Sequence, residues 1–181
     1  REQRSSKQSH GITRLSANSC RDGKTVSTHL HTRHSFMKPK IFYNSKLAKA
    51  ILFGDYNTMM FFGIIITKLK ELSVKTINHE SIHVKQFTEV TVTFAVVLGI
   101  LSIFTTPWIL TAFPFAYYIV YGLECAVSYV YHFFKGDAAD KINDEAYYAS
   151  AFEMEAYAHE NDMEYLDNRK LFAFIKYYGK I

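Results

Sequence analysis

The chain has 181 residues and a formal charge of +4, but its N-terminal stretch accounts for all of that excess. Residues 1–36 carry seven Lys/Arg against two acids and one aromatic, whereas residues 37–181 carry fourteen Lys/Arg against fifteen acids. A near-neutral remainder excludes a nucleic-acid partner recruited by net positive charge, and its length suits a single domain.

Residues 1–35 are rich in Ser, Thr, Arg and His, with almost no large apolar side chains to offset their ordering entropy, so the sequence predicts disorder. A secretory signal needs an apolar stretch of about 7–15 residues, and none precedes Phe36. The composition changes abruptly at Met37-Lys38-Pro39-Lys40, which reads as upstream sequence joined to a native start. His29, His31 and His34 then need no metal, and the two cysteines, Cys20 and Cys125, imply neither a disulfide framework nor a Cys-type zinc site.

The apolar run of residues 58–67 is too short to span a membrane. It predicts a buried strand, or a strand pair with residues 51–53 turned at Gly54-Asp55. Next comes His79-Glu80-Ser81-Ile82-His83, an H-E-x-x-H. Two His four positions apart share one helix face and can bind one zinc ion, while Glu80 can take a proton from water beside them. A random chain of this composition would contain the pattern about 0.02 times. Asn78 reads as the cap at the helix start, and Val84, Phe87 and Val90 continue an apolar face.

Residues 90–123 form a run of 34 without Asp, Glu, Lys, Arg or His. One straight helix of that length would be about 50 Å, longer than a hydrocarbon core of about 30 Å. Thr105-Thr106-Pro107 breaks the run, so the sequence predicts a hairpin of two apolar helices, 88–105 and 108–134. A buried hairpin of a soluble protein competes with a membrane hairpin. Lys38, Lys40, Lys46, Lys49, Lys68, Lys70, Lys75 and Lys85 precede the hairpin, Lys135 and Lys141 follow it, and its turn has none. The positive-inside bias places both ends in the cytoplasm. Glu124, inside the second arm, is an ionisable group that calls for a partner or a task.

Gly136-Asp137 ends that arm, Lys141–Asp144 reads as a polar loop, helix resumes at Asp144, and residues 163–178 read as a surface segment. Phe152-Glu153-Met154-Glu155-Ala156-Tyr157-Ala158-His159-Glu160 must supply the third zinc ligand. Glu153 and Glu155 point about 200° apart on a helix, so only one can serve, and small Ala residues accompany both. His159 is a further candidate, as ligand or as a group that polarises substrate.

These residues resemble the small, uncharacterised bacterial zinc metallopeptidase-like proteins of the gluzincin type. They are more distantly similar to membrane zinc proteases with H-E-x-x-H and a later E-x-x-A-D. The similarity covers most of residues 41–170. Aligning Ala156 with the Ala of E-x-x-A-D makes Glu153 the third ligand, as the resemblance implies, but puts Tyr157 where the family has an Asp. That Asp orients a zinc-bound His, so its absence leaves the orienting partner unassigned. Aligning on an E-A-F-type variant selects Glu155 instead, with His159 at the Asp position.

The expected fold is mainly α with a short β element: an H-E-x-x-H helix leading into an apolar hairpin, then a Glu-bearing helix. The expected function is a membrane-associated zinc metallopeptidase acting on a peptide or protein substrate at the cytoplasmic face of a bacterial inner membrane. His79, His83 and Glu153 (or Glu155) would hold Zn²⁺, and Glu80 would be the general base. The rival is a small membrane protein that binds zinc or a partner without turnover.

Overall fold

The computed structural model describes residues 39–54, 56–137, 142 and 146–180. The readings of residues 1–36, including Cys20 and the three tail histidines, therefore fall outside the described residues, as do Asp55 and nearly all of the Lys141–Asp144 loop. The described part is mainly helical, with a small three-stranded sheet and two apolar helices.

Strand β1 (Ile41–Phe42) is followed by α1 (Lys46–Ile51), whose cap Ser45 accepts a hydrogen bond from the Ala48 amide at 3.3 Å. Strands β2 (Thr58–Phe61) and β3 (Ile64–Thr67) form an antiparallel hairpin, and β1 pairs in parallel with β3, giving the order β1-β3-β2. The hairpin turns at Phe62-Gly63, with φ of 47° and 81°, the two positive values that a two-residue turn of matching twist requires. The sequence had allowed a turn at Gly54-Asp55 with residues 51–53 as a strand. Ser45 instead caps a helix that absorbs Ile51, and Gly63 supplies the tighter turn. Phe62 tolerates its positive φ because its N–H donates to the Tyr118 hydroxyl at 2.7 Å and its ring packs on Phe115 and Tyr118. Ile65, Ile66 and Thr67 of β3 are buried under α1 and α2, which leaves β2 as an edge strand.

Helix α2 (Val74–Ser102) is a single 29-residue rod, about 43 Å long at 1.5 Å per residue. The H-E-x-x-H segment and the first apolar arm are thus one helix. Its cap is Ser73, whose hydroxyl accepts from the Thr76 amide at 3.0 Å, and not Asn78, which lies buried a full turn inside. The polarity of α2 is inverted along its length. Its first half buries Asn78, His79, Glu80, His83, Gln86 and Glu89, whereas its second half exposes Val92, Val96, Val97 and Ile100.

The break falls at residues 103–106, after which Pro107 opens a 3-10 segment (Pro107–Phe115) that runs directly into α3 (Ala116–Lys135). The sequence predicted α-helix throughout this arm. Pro114, which lacks a backbone donor, lies inside this 3-10 segment. Gly136, with φ of 85°, ends α3 as expected. Both α2 and the run Pro107–Lys135 are long and apolar enough to cross a membrane, and little of the most apolar stretch of either is buried within the protein.

Helix α4 (Ala151–His159) is fixed at both ends by other helices. At its start, Glu124 of α3 accepts from the Ser150 hydroxyl and the Ala151 amide, each at 2.9 Å, and also from the Tyr178 hydroxyl. At its end, the Asn78 side-chain amide of α2 donates to the carbonyls of His159, Glu160 and Asp162 at 3.0–3.1 Å. These bonds satisfy backbone groups that a helix terminus would otherwise leave unpaired. Beyond α4 lie α5 (Tyr165–Asn168) and a 3-10 turn (Ala173–Tyr177). The core joins Met60, Val90, Tyr117, Phe152 and Phe174. Residues 163–178 are more than a surface segment. Phe174 is in this core, and the Arg169 side chain is fully buried between Glu89 and Glu155.

Candidate metal centre

The i, i+4 spacing on α2 puts the two imidazoles on the face that meets α4, and Glu153 enters from α4 opposite them. His79 Nε2 lies 3.1 Å from His83 Nε2 and 3.4 Å from Glu153 Oε2, and His83 Nε2 lies 3.3 Å from Glu153 Oε1. All three side chains are buried, and together they form a group that could hold a metal ion.

The proton count around this group decides its character. His79 Nδ1 is 3.3 Å from Glu160 Oε2, and a carboxylate only accepts, so that nitrogen carries the hydrogen. His83 Nδ1 is 2.8 Å from Gln86 Oε1, again an acceptor. In the neutral rings both Nε2 atoms are then bare, and their lone pairs face each other and the Glu153 carboxylate. Glu153 Oε2 is buried without a hydrogen-bond partner, while Oε1 accepts from the Tyr121 hydroxyl at 3.1 Å. Burial alone would raise the Glu153 pKa, but the neighbouring His83 and His79 outweigh it and hold the carboxyl below its ordinary value, so it is an anion. With both rings neutral, lone pairs and negative charge converge, which is the donor set of a cation site; without a metal ion an imidazole proton supplies the positive charge there, and that charge is what lowers the Glu153 carboxyl.

Tyr147 and Tyr157 flank the group. Burial, with the Glu153 anion second, pushes both hydroxyls up, so each is a protonated donor at neutral pH. Glu80 is buried beside the imidazoles and meets the backbone of Met60 on edge strand β2. Two cavities adjoin it. One of about 260 Å³ is lined by Leu52, Met60, Tyr117, Tyr121 and His83; the other, of about 500 Å³, by Tyr56, Leu72, Lys75, His79 and Tyr157.

The other candidates lie elsewhere. Glu155 is fully buried, and its oxygens are taken by Tyr165, Arg169 and Gln86. His159 bonds the Tyr177 hydroxyl at 3.1 Å and stacks on Tyr165. Tyr157 packs its ring on His79 with centroids 4.7 Å apart. The carboxylate that meets His79 Nδ1 comes three residues later, from Glu160. Sequence reasoning missed Glu160 and Gln86, although Glu160 stands seven residues after Glu153 and Gln86 three after His83, spacings that return to the same helix face. Comparison with protein-family models, with curated proteins and with solved structures finds no match in any of the three.

Proposed function

We propose that this protein is a membrane-associated zinc metallopeptidase whose ligands are His79, His83 and Glu153. The observation that carries the reading is the convergence of two bare imidazole nitrogens on a buried carboxylate. Ligands about 2.0–2.1 Å from a tetrahedral ion stand about 3.3–3.4 Å apart; here the two Nε2 atoms are 3.1 Å apart, a different Glu153 oxygen stands 3.3–3.4 Å from each, and one donor atom from each residue lies within 4.8 Å of the other two, so a modest turn of the carboxylate would close the set on an ion. Two His and one Glu, with room beside them for a fourth position, is the donor set of hydrolytic rather than purely structural zinc. When bound, zinc supplies Lewis acidity, polarising a carbonyl and acidifying water.

The chain's own groups account for the rest. Glu80 accepts the proton of the attacking water on its carboxylate and delivers it to the leaving nitrogen. Tyr147 and Tyr157, kept protonated, are donors for a carbonyl oxygen in the cleft. An extended peptide has access along β2, where the two cavities meet at Glu80. The exposed apolar second half of α2 and the run after Pro107 support a lipid-embedded hairpin, and the Lys distribution favours a cytoplasmic site.

The test is elemental analysis of detergent-purified protein, followed by a peptide-library digest with and without chelator. One zinc per chain, chelator-sensitive cleavage, and a Glu80→Gln variant that keeps zinc but loses cleavage are expected. Zinc-free wild-type protein would reject the metal centre. Zinc-loaded protein without cleavage would leave a zinc-binding membrane protein that does not turn over.

A further inference from the structure

We propose that Gln86, Glu155 and Arg169 form a relay that sets the tautomer of His83, making Glu155 and Arg169 positioning residues for the metal centre. The tautomer claim stands on the hydrogen bonds alone, and only its effect on affinity rests on the zinc reading above.

The Gln86 amide has one way to face. Gln86 is fully buried, and its Nε2 lies 3.0 Å from the Phe152 carbonyl and 3.1 Å from Glu155 Oε2. Both are acceptors without a proton, so the NH₂ group must face them. Oε1 is left toward His83 Nδ1, at 2.8 Å, and can only accept. The His83 hydrogen therefore sits on Nδ1, and Nε2 is bare toward His79 and Glu153. The opposite tautomer would put a hydrogen where a metal must bind.

Glu155 can hold this orientation only as a fixed acceptor. Arg169 provides that, with Nε and Nη2 on the two Glu155 oxygens and Nη1 on Glu89, while Tyr165 donates to Glu155 Oε1 at 2.7 Å. In Glu155→Gln an NH₂ replaces one oxygen. In either orientation it confronts Arg169, at Nε on the Oε1 side or at Nη2 on the Oε2 side, and on the Oε2 side it also confronts Gln86 Nε2 and turns that amide over. The C-terminal segment thereby reaches the metal centre through two side chains, although Arg169 touches no ligand of it.

The experiment is long-range ¹H–¹⁵N correlation of histidine-labelled, metal-free protein in detergent, recorded at a pH alkaline enough for the imidazoles to be neutral, with zinc affinity measured by chelator competition. Wild-type His83 is expected as the Nδ1–H tautomer. Gln86→Leu and Glu155→Gln should each shift it toward Nε2–H and weaken zinc binding about 10- to 100-fold. In the Gln86→Leu background, adding Glu155→Gln should change the tautomer no further, whereas a merely structural role would act independently of Gln86. Wild-type His83 protonated on Nε2, or either folded variant retaining the wild-type tautomer, would overturn the relay. If Glu155→Gln does not fold, Gln86→Leu still decides. Zinc-free wild-type protein with the expected tautomers would reject the metal reading and leave the relay standing.

Discussion

Glu160 Oε2 meets His79 Nδ1 at 3.3 Å, although the sequence motif places Tyr157 where a carboxylate would stand. The carboxylate against His79 stands three residues after Tyr157, and Lys75 holds its other oxygen at 2.9 Å. Removing such a partner frees the ring to rotate and change tautomer. Glu160→Ala should therefore weaken zinc binding about 10- to 100-fold, while Glu160→Gln, which retains an acceptor, should weaken it less. Chelator competition gives both constants, and an alanine variant with wild-type affinity would remove Glu160 from the site.

Asn78 couples the metal helix to the end of the Glu153 helix through its contacts to three carbonyls. Asn78→Ala leaves those acceptors poorly satisfied and should cost about 1–3 kcal/mol of stability. Asn78→Asp is nearly isosteric but sets a carboxylate against carbonyls, so it should cost more than alanine. Denaturant unfolding of both variants measures this, and an aspartate variant as stable as wild type would show that the contact contributes little.

The sequence reads well where one residue type does one local job. His79, Glu80 and His83 follow from helical spacing, and the break near Pro107 from a missing donor. It reads poorly where a side chain serves another element. Asn78 looks like a cap for its own helix but caps α4 from 81 or more positions away in the chain. Glu124 resembles an isolated charge in an apolar arm, yet it closes the start of α4. Arg169 looks like a surface residue because its two acids, Glu89 and Glu155, lie 80 and 14 positions away. Local pattern carries no record of such pairings. Glu153 and Glu155 both reach α2, so the choice depended on which stands against His79 and His83 and which against Gln86 one turn further along.

Acid should unfold the metal-free protein partly through Glu153. Its carboxyl in the folded state is held below its ordinary value of 4.5 by His83 and His79, against the opposing effect of burial. A depressed folded-state pKa gives stability that is fully present above the unfolded value and is lost as pH falls below it toward the folded value. Thermal midpoints of the metal-free wild type should therefore drop as pH falls from about 5 to about 3, and Glu153→Gln, with nothing to titrate there, should show a shallower fall. Parallel curves would mean that Glu153 gains nothing from its neighbours.

The hairpin tip tests the membrane reading directly, because its only tryptophan is the chain's only one. Trp108 is 79% exposed, and Ile103 and Phe104 beside it are 77% and 80% exposed. An exposed cluster of this kind has no aqueous rationale, and it lies where α2 has already traded buried polar side chains for exposed apolar ones. In lipid these three side chains would be covered, each contributing about 1.5–3 kcal/mol to partitioning. Trp108 emission should shift to shorter wavelength in vesicles or nanodiscs, and brominated acyl chains should quench it. Replacing Ile103 and Phe104 together with Asp should lower vesicle association at least tenfold at the same lipid concentration while leaving zinc stoichiometry unchanged. The metal centre is built from the first half of α2 and from α4, so a tip variant that lost zinc would mean the two halves of α2 are not independent. Identical Trp108 emission in buffer and in lipid would sink the lipid-embedded hairpin, and with it the argument that the Lys distribution sets which side the site faces.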